Sequence, residues 1–222
     1  MKEIKIQNFT EFHRVIDDYD ARTTIYRGMK SVNYPLIPKV GRVVLPNSVG
    51  LQEKNEQEIL RLFKERAFQY LDFTPTSDWD WLALGQQYGL PTRLLDWTEN
   101  PLVACFFAVN ENNEDDSVIH AYRNESYISV DKHPDPFKYK EVGKFIPRHL
   151  TQRITTQGGL FTVHPNPYEK FESQDMDKII IPNTIRSELK RTLNKYGVNQ
   201  FSLFPGLDGL AAHIDWLQSK KD

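Results

Sequence analysis

The residues most able to do chemistry in this chain stand beside its breaks. Arg27, Gln86, Arg93, Asp96, Thr98, Arg153 and Gln157 lie close to glycines or prolines, the places where a folded scaffold hands side chains to a ligand. Arginine grips phosphoryl oxygens with a two-pronged fork, while amides and hydroxyls hydrogen-bond sugar hydroxyls. The set therefore suits a phosphorylated or dinucleotide ligand. Other chemistries lack the residues they need. The histidines at 13, 120, 133, 149, 164 and 213 form no HxH, HExxH or His–Cys cluster, so no metal is expected. Nor is there a P-loop, a GxGxxG turn or a GxSxG elbow.

The elements that must position these residues centre on Trp81 to Ala108, WLALGQQYGLPTRLLDWTENPLVACFFA. Gly89, then Leu90 and Pro91, should end a first helix, because glycine tolerates a left-handed residue there and the residue before proline leaves helical space. Asn100 and Pro101 should open a second helix as N-cap and first helical residue. Thr92 to Thr98 between them is too short for a helix and reads as a buried strand or tight loop. Arg93 and Asp96 either face a ligand or tie the loop together as an ion pair. The apolar neighbours Leu94, Leu95 and Trp97 favour the pair for Asp96. Arg27, between Tyr26 and Gly28 on an apparent strand over Thr23 to Met29, either meets a buried carboxylate or faces a cleft, with the cleft favoured. Gly28 would let a ligand approach the backbone.

The 222 residues suffice for one domain with a full core and are few for two generous ones. The 28 basic and 30 acidic residues leave a net charge of −2, which supplies no electrostatic argument for nucleic acid or an anionic membrane. One cysteine, Cys105, excludes an internal disulfide framework; within the apolar run VACFFA it reads as an inert buried thiol. No apolar run reaches the roughly 20 residues a membrane span requires. The start of the chain lacks the apolar core of a signal peptide. A cytoplasmic location is the expectation.

In chain order, Lys2 to Ile6 reads as a strand, followed by an amphipathic helix capped at Asn8 or Thr10. Ser31 to Gly50, with prolines 35, 38 and 46, reads as an irregular flap carrying Lys39 and Arg42. Leu51 to Leu71 is the longest helical pattern. Glu53, Lys54, Glu56, Glu58, Arg61, Lys64 and Glu65 lie off its apolar stripe, mostly as a solvated face. Asp78 is the expected cap of the next helix. Ser117 to Arg123, Leu160 to His164 and Lys178 to Ile181 read as strands, and Tyr127 to Pro147 as irregular surface with brief strands. Leu150 to Thr156 suggests a helical turn or two, while Thr184 to Tyr196 and Gly209 to Gln218 read as helices. Asp208 should cap the last one or accept from a buried donor. Strands and helices alternate without regular βαβ units, which favours α+β.

Tyr26-Arg27-Gly28, GQQYGLPTRLLDWTENPLVACFFA (85–108), Gln157-Gly158-Gly159-Leu160-Phe161-Thr162 and Ser202 to Ala211 together resemble a bacterial FRG domain over nearly the whole chain, 1–222, as a single domain. The family is named for Phe-Arg-Gly; Tyr26 stands here in place of the Phe. A fainter resemblance is to ADP-ribosyltransferases with an Arg-Ser-Glu signature, which implies mixed sheets with flanking helices and NAD as substrate. It also implies ADP-ribosyl transfer or NAD hydrolysis, in a toxin or phage-defence setting. On that resemblance Arg27, Thr98 and Gln157 would be catalytic, and Arg27, Gln86, Arg93, Asp96, Thr98 and Arg153 would hold the nucleotide. Gln157, Asp175 and Asp177 compete for the place of the Glu; a neutral Gln orients a ribose but brings no countercharge. The alternative is a non-catalytic module of the same shape that binds a nucleotide, a nucleic acid or a protein.

Overall fold

A computed structural model describes residues 1–42, 52–148 and 151–219, with 52–54 as backbone alone. The expectations for residues 43–51, 149 and 150 lie outside the described residues. The strands are β1 (Glu3–Lys5), β2 (Thr24–Met29), β3 (Leu94–Thr98), β4 (Ser117–Arg123), β5 (Gly143–Phe145), β6 (Gly159–Val163) and β7 (Met176–Ile181). They form one seven-stranded sheet in the order β1, β7, β4, β2, β3, β6, β5. β1 runs parallel to β7, and every other neighbouring pair is antiparallel. The helices are α1 (Phe9–Asp17), α2 (Lys39–Arg42), α3 (Gln52–Ala67), α4 (Asp78–Gln87), α5 (Pro101–Val109), α6 (Gln152–Thr156), α7 (Arg186–Lys195), α8 (Gln200–Leu203) and α9 (Leu207–Gln218). The architecture is α+β in a single domain.

Local chemistry explains most boundaries. Asn8 caps α1 by accepting from the Glu11 N–H, and Asn100 caps α5 by accepting from the Leu102 N–H, with Pro101 in the first turn. Gly89 takes φ 86° behind α4, the left-handed geometry that closes a helix at glycine. Two cap expectations fail. Ser77, not Asp78, caps α4, because its hydroxyl accepts from the Asp80 N–H while Asp78 is already helical. Asp208 lies within the exposed first turn of α9, whose cap position is Gly206 with no side-chain bond. Two short helices, α2 and α8, were not legible as helices, being a single turn each.

The core divides into clusters on the two faces of the sheet. On one face Tyr26, Ile119, Ala121, Ile179 and Ile181 pack against α5, with Phe12 of α1 and Leu189 and Leu193 of α7. Beside them Leu94, Phe161, Val163 and Phe145 pack under Trp79 and Leu82 of α4. The other face carries Ile25, Leu95, Trp97, Tyr122, Leu160 and Met176, with Leu36. Each such aliphatic or aromatic side chain contributes roughly 1.5–3 kcal/mol on burial. Cys105 is fully enclosed in α5, and burial pushes its thiol up to about 12, so it is inert.

Gly28 has a structural cause other than the one its neighbours suggested. A Cβ on Gly28 would fall 1.8 Å from the Ala104 carbonyl oxygen. The missing side chain admits α5 against β2.

Candidate functional site

The site lies where the sheet is least tightly zipped. β2 and β3 are register partners at Tyr26–Thr98 alone, whereas β2 pairs with β4 along its whole length. The two helix-covered clusters part over this junction, and a cleft of about 270 Å³ opens between α4, α5 and α6. Tyr26, Arg27 and Gly28 of β2, Asp96, Trp97 and Thr98 of β3, Gln86, Gln87, Phe107, Arg153 and Gln157 line it.

Arg27 spans the gap between the strands. Its Nη1 donates to the Asp96 carbonyl at 2.6 Å and to the Asp96 carboxylate at 3.3 Å. The Arg27 side chain is 19% exposed and that of Asp96 55%. The same carboxylate oxygen accepts from Gln86 Nε2 at 3.0 Å, and Gln86 Oε1 accepts from the Thr92 hydroxyl at 2.6 Å. A polar chain thus runs from the α4 C-terminus to β2. Arg42 of α2 stands close enough for its proton affinity to be lowered, by burial first and then by Arg27, with Asp96 opposing.

The far wall is built by the turn before β6. The Thr98 hydroxyl donates to the Gln157 carbonyl at 2.6 Å and accepts from the Asn100 N–H at 3.0 Å, fixing the turn that Gly158 completes at φ 54°. Gln157 Nε2 donates to the Leu203 carbonyl at 3.0 Å. Arg153 lays its guanidinium 4.5 Å from the centre of the Phe204 ring, a cation–π contact. The C-terminal segment therefore packs on the core and supports two cleft residues: Leu203 is buried among the α5 cluster, and Phe204 meets Phe107 edge to face.

The structure brings Arg27, Gln86, Asp96, Thr98, Arg153 and Gln157 to one cleft and leaves Arg93 out of it. Arg93 does not pair with Asp96. Arg93 stands just before β3 and meets Glu56 of α3 instead. Its Nε and Nη2 donate to one Glu56 oxygen at 3.0 and 2.8 Å, and its backbone N–H donates to the other at 2.8 Å. The two side chains are 2% and 1% exposed, so Glu56 is not part of a solvated face. The ring of Phe137 lies 4.8 Å from the guanidinium carbon.

Asp175 and Asp177 are also remote from the cleft. Asp177 on β7 accepts from Arg123, the Lys2 N–H and Tyr19, and the Asp175 carbonyl accepts from the Arg123 N–H. Asp96 is the one carboxylate among the lining residues. Sequence reasoning missed Gln87, which accepts from the Thr151 hydroxyl at the cleft wall, and Phe107; the doubled Gln86-Gln87 at a helix end was the available signal. Among the described residues no group of three His, Cys, Asp or Glu side chains could hold a metal ion.

This geometry can be set beside known proteins. The profile of the FRG domain family matches residues 22–117. Over those residues the chain is similar to the FRG domain family. The matched span of the FRG domain runs from the strand of Arg27 to the start of β4 and includes Gln86, Asp96 and Thr98. β6, β7 and the two remaining cleft residues, Arg153 and Gln157, lie beyond it. No curated protein and no solved structure matches the chain. No helix among the described residues is long and apolar enough to cross a membrane.

Proposed function

We propose that the cleft binds a nucleotide carrying a diphosphate, NAD in the first instance, and that the protein is an ADP-ribosyltransferase-like enzyme that transfers the ADP-ribosyl group or hydrolyses NAD. One observation carries the reading. Arg27, Thr98 and Gln157 come from three successive members of the sheet, β2, β3 and the turn into β6, and line one cleft with Arg153. Two guanidinium groups at opposite walls suit a diphosphate. The amides of Gln86 and Gln157 and the hydroxyl of Thr98 suit ribose. In such a reaction the bond from the ribose anomeric carbon to nicotinamide breaks, and its electron pair leaves on nicotinamide. Water or an acceptor nucleophile then forms the new bond and gives up a proton. Asp96 would face the developing positive charge in place of the Glu of related enzymes, at a strength reduced by its pairing with Arg27. The functional unit in this reading extends past the matched span to α9.

A second reading, a non-catalytic nucleotide-binding module, is favoured by one detail. The Thr98 hydroxyl and the Gln157 amide are both engaged by backbone carbonyls, and so serve the scaffold. Incubation with NAD⁺ followed by chromatography for free nicotinamide separates the two. Release by the parent and not by Arg27→Ala supports the enzyme. A ligand-induced thermal shift without release supports the module. Neither effect removes NAD from the proposal.

A further inference from the structure

The face of the sheet turned away from α5 carries a row of basic side chains that the cleft does not explain. Arg27 on β2 stands directly opposite His120 on β4, and His120 directly opposite Lys178 on β7. Directly opposed residues on neighbouring strands project from the same face with Cβ atoms about 4.5–5.5 Å apart. His120 is 6% exposed, and neither of its ring nitrogens has a hydrogen-bond partner among the described residues. Arg27 Nε is likewise buried and unpartnered, although its Nη1 is held by Asp96. Buried nitrogens of this kind are rare, because each loses its water without a replacement. Their clustering at two adjacent positions calls for an acceptor.

The charges around His120 specify what that acceptor is. Burial first, then Arg27, Lys178 and Lys170 in turn, press its imidazolium form down to a value of about 3, so the ring is neutral in the ligand-free protein. Burial and then Arg27 also lower His164, to about 4. Like charges set side by side destabilise a sheet, and here they surround a neutral ring that has no partner of its own. An oxyanion offsets these costs: it accepts from Arg27 Nε and makes a protonated His120 a donor, beside Lys178 and Lys170, whose present countercharges are Glu3 at 3.9 Å and Glu172 at 2.7 Å.

We infer that Arg27 and His120 form an oxyanion site for a phosphoryl group, reached through the gap between β2 and β3, with Lys178 beside it and a proton taken up on His120 as the anion binds. The phosphoryl group belongs either to free phosphate or pyrophosphate or to the diphosphate of a dinucleotide in the cleft. In the second case the inference rests on the proposed function; in the first it stands alone.

Calorimetric titration with inorganic pyrophosphate tests it, with inorganic phosphate and NAD⁺ as parallel arms. The titrations are run at about pH 5.5 and about pH 7.5, either side of the ordinary histidine value, in two buffers of different ionisation enthalpy. The parent should take up a proton on binding, and its affinity should rise as pH falls by up to about tenfold per unit, the limit for one linked proton. His120→Gln, close in size and unable to charge, should bind more weakly at the lower pH and lose the part of the pH dependence that exceeds the titration of pyrophosphate itself. Lys178→Met, at a half-exposed position, should weaken binding while keeping the proton uptake. In the parent, the His120 imidazole nitrogen resonances should move to protonated values when the anion is added. Absence of binding, or binding by His120→Gln with unchanged affinity and pH dependence, overturns the inference. Pyrophosphate binding without NAD binding leaves this site and removes the NAD reading. NAD binding indifferent to His120 does the reverse.

Discussion

Replacing Glu56 by glutamine removes the countercharge of a guanidinium that has no access to water. In the parent, Arg93 makes two charge-assisted bonds to one Glu56 oxygen, at 3.0 and 2.8 Å, and its own N–H donates to the other. Its guanidinium also donates to the Phe137 carbonyl at 3.5 Å. Glutamine keeps one acceptor and places an N–H₂ where the other stood, so a donor faces a donor and the cation stays buried. Breaking a buried pair from one side costs about 3–5 kcal/mol, far above the about 0–1 kcal/mol of an exposed pair. For a domain of this size each kcal/mol lowers the thermal midpoint by about 2–4 °C, so the expected fall is about 6–20 °C. Urea unfolding followed by far-UV circular dichroism should show a lower midpoint at unchanged slope. Replacing both partners by apolar residues, as in Glu56→Leu with Arg93→Met, should recover part of the loss, because the unpaired guanidinium is gone while the Arg93 N–H loses its acceptor. A Glu56→Gln midpoint within about 1 kcal/mol of the parent, below the range for a broken buried pair, would refute this account of the α3 to β3 contact.

Asp96→Asn should lower stability by about 1 kcal/mol or less, since that carboxylate is half exposed; differential scanning fluorimetry with NAD⁺ or pyrophosphate should show a diminished ligand-induced shift. Gly28→Ala should destabilise by at least about 1–3 kcal/mol, the usual range for overpacking, because backbone of α5 occupies the space of the new methyl group; urea unfolding reads it. Stability should fall as pH drops from about 6.5 towards 4. His120 and His164 are neutral in the fold, with values of about 3 and about 4, while the unfolded chain protonates them near 6.5. The His120→Gln variant should show a shallower fall between those limits in the same unfolding assay. Removing residues 201–222 takes away Leu203 from the core and the carbonyl that holds Gln157; the truncated chain should lose its cooperative transition.

The fold was legible wherever a local rule fixes the backbone. Asn100 with Pro101, Gly89 behind α4, and the alternating run of β4 each announce their element through steric or hydrogen-bonding demands carried within a few residues. The site was legible as a set of residue types beside such breaks: Arg27, Gln86, Asp96, Thr98, Arg153 and Gln157 were on it, and Gln87 was not. What sequence could not supply was partnership across long separations. Arg93 and Asp96 look like a pair because they are close in sequence. Each instead finds a partner far along the chain, Glu56 and Arg27 respectively. Glu56 resembles the charges around it on α3 until the approach of β3 is known. Gly28 likewise carries no mark that distinguishes room for a ligand from room for a helix.

The parity of β3 also explains how one short strand serves both stability and recognition. Leu94, Asp96 and Thr98 project to the side of α4 and α5, where the two helix-covered clusters part and leave the cleft. Leu95 and Trp97 project to the other side, into the opposite core that anchors the strand, with Trp97 Nε1 donating to the Thr162 hydroxyl at 2.8 Å. A strand held this firmly on one face can leave an acid and a hydroxyl at the other without collapse of the gap to β2. Arg27 is the exception that joins the faces. It projects with His120 on the far side, yet its Nη1 reaches back across the gap to Asp96. Any anion drawn to Arg27 is therefore sensed on both sides of the sheet: by Asp96, which must share its cation, and by His120, which gains a reason to hold a proton.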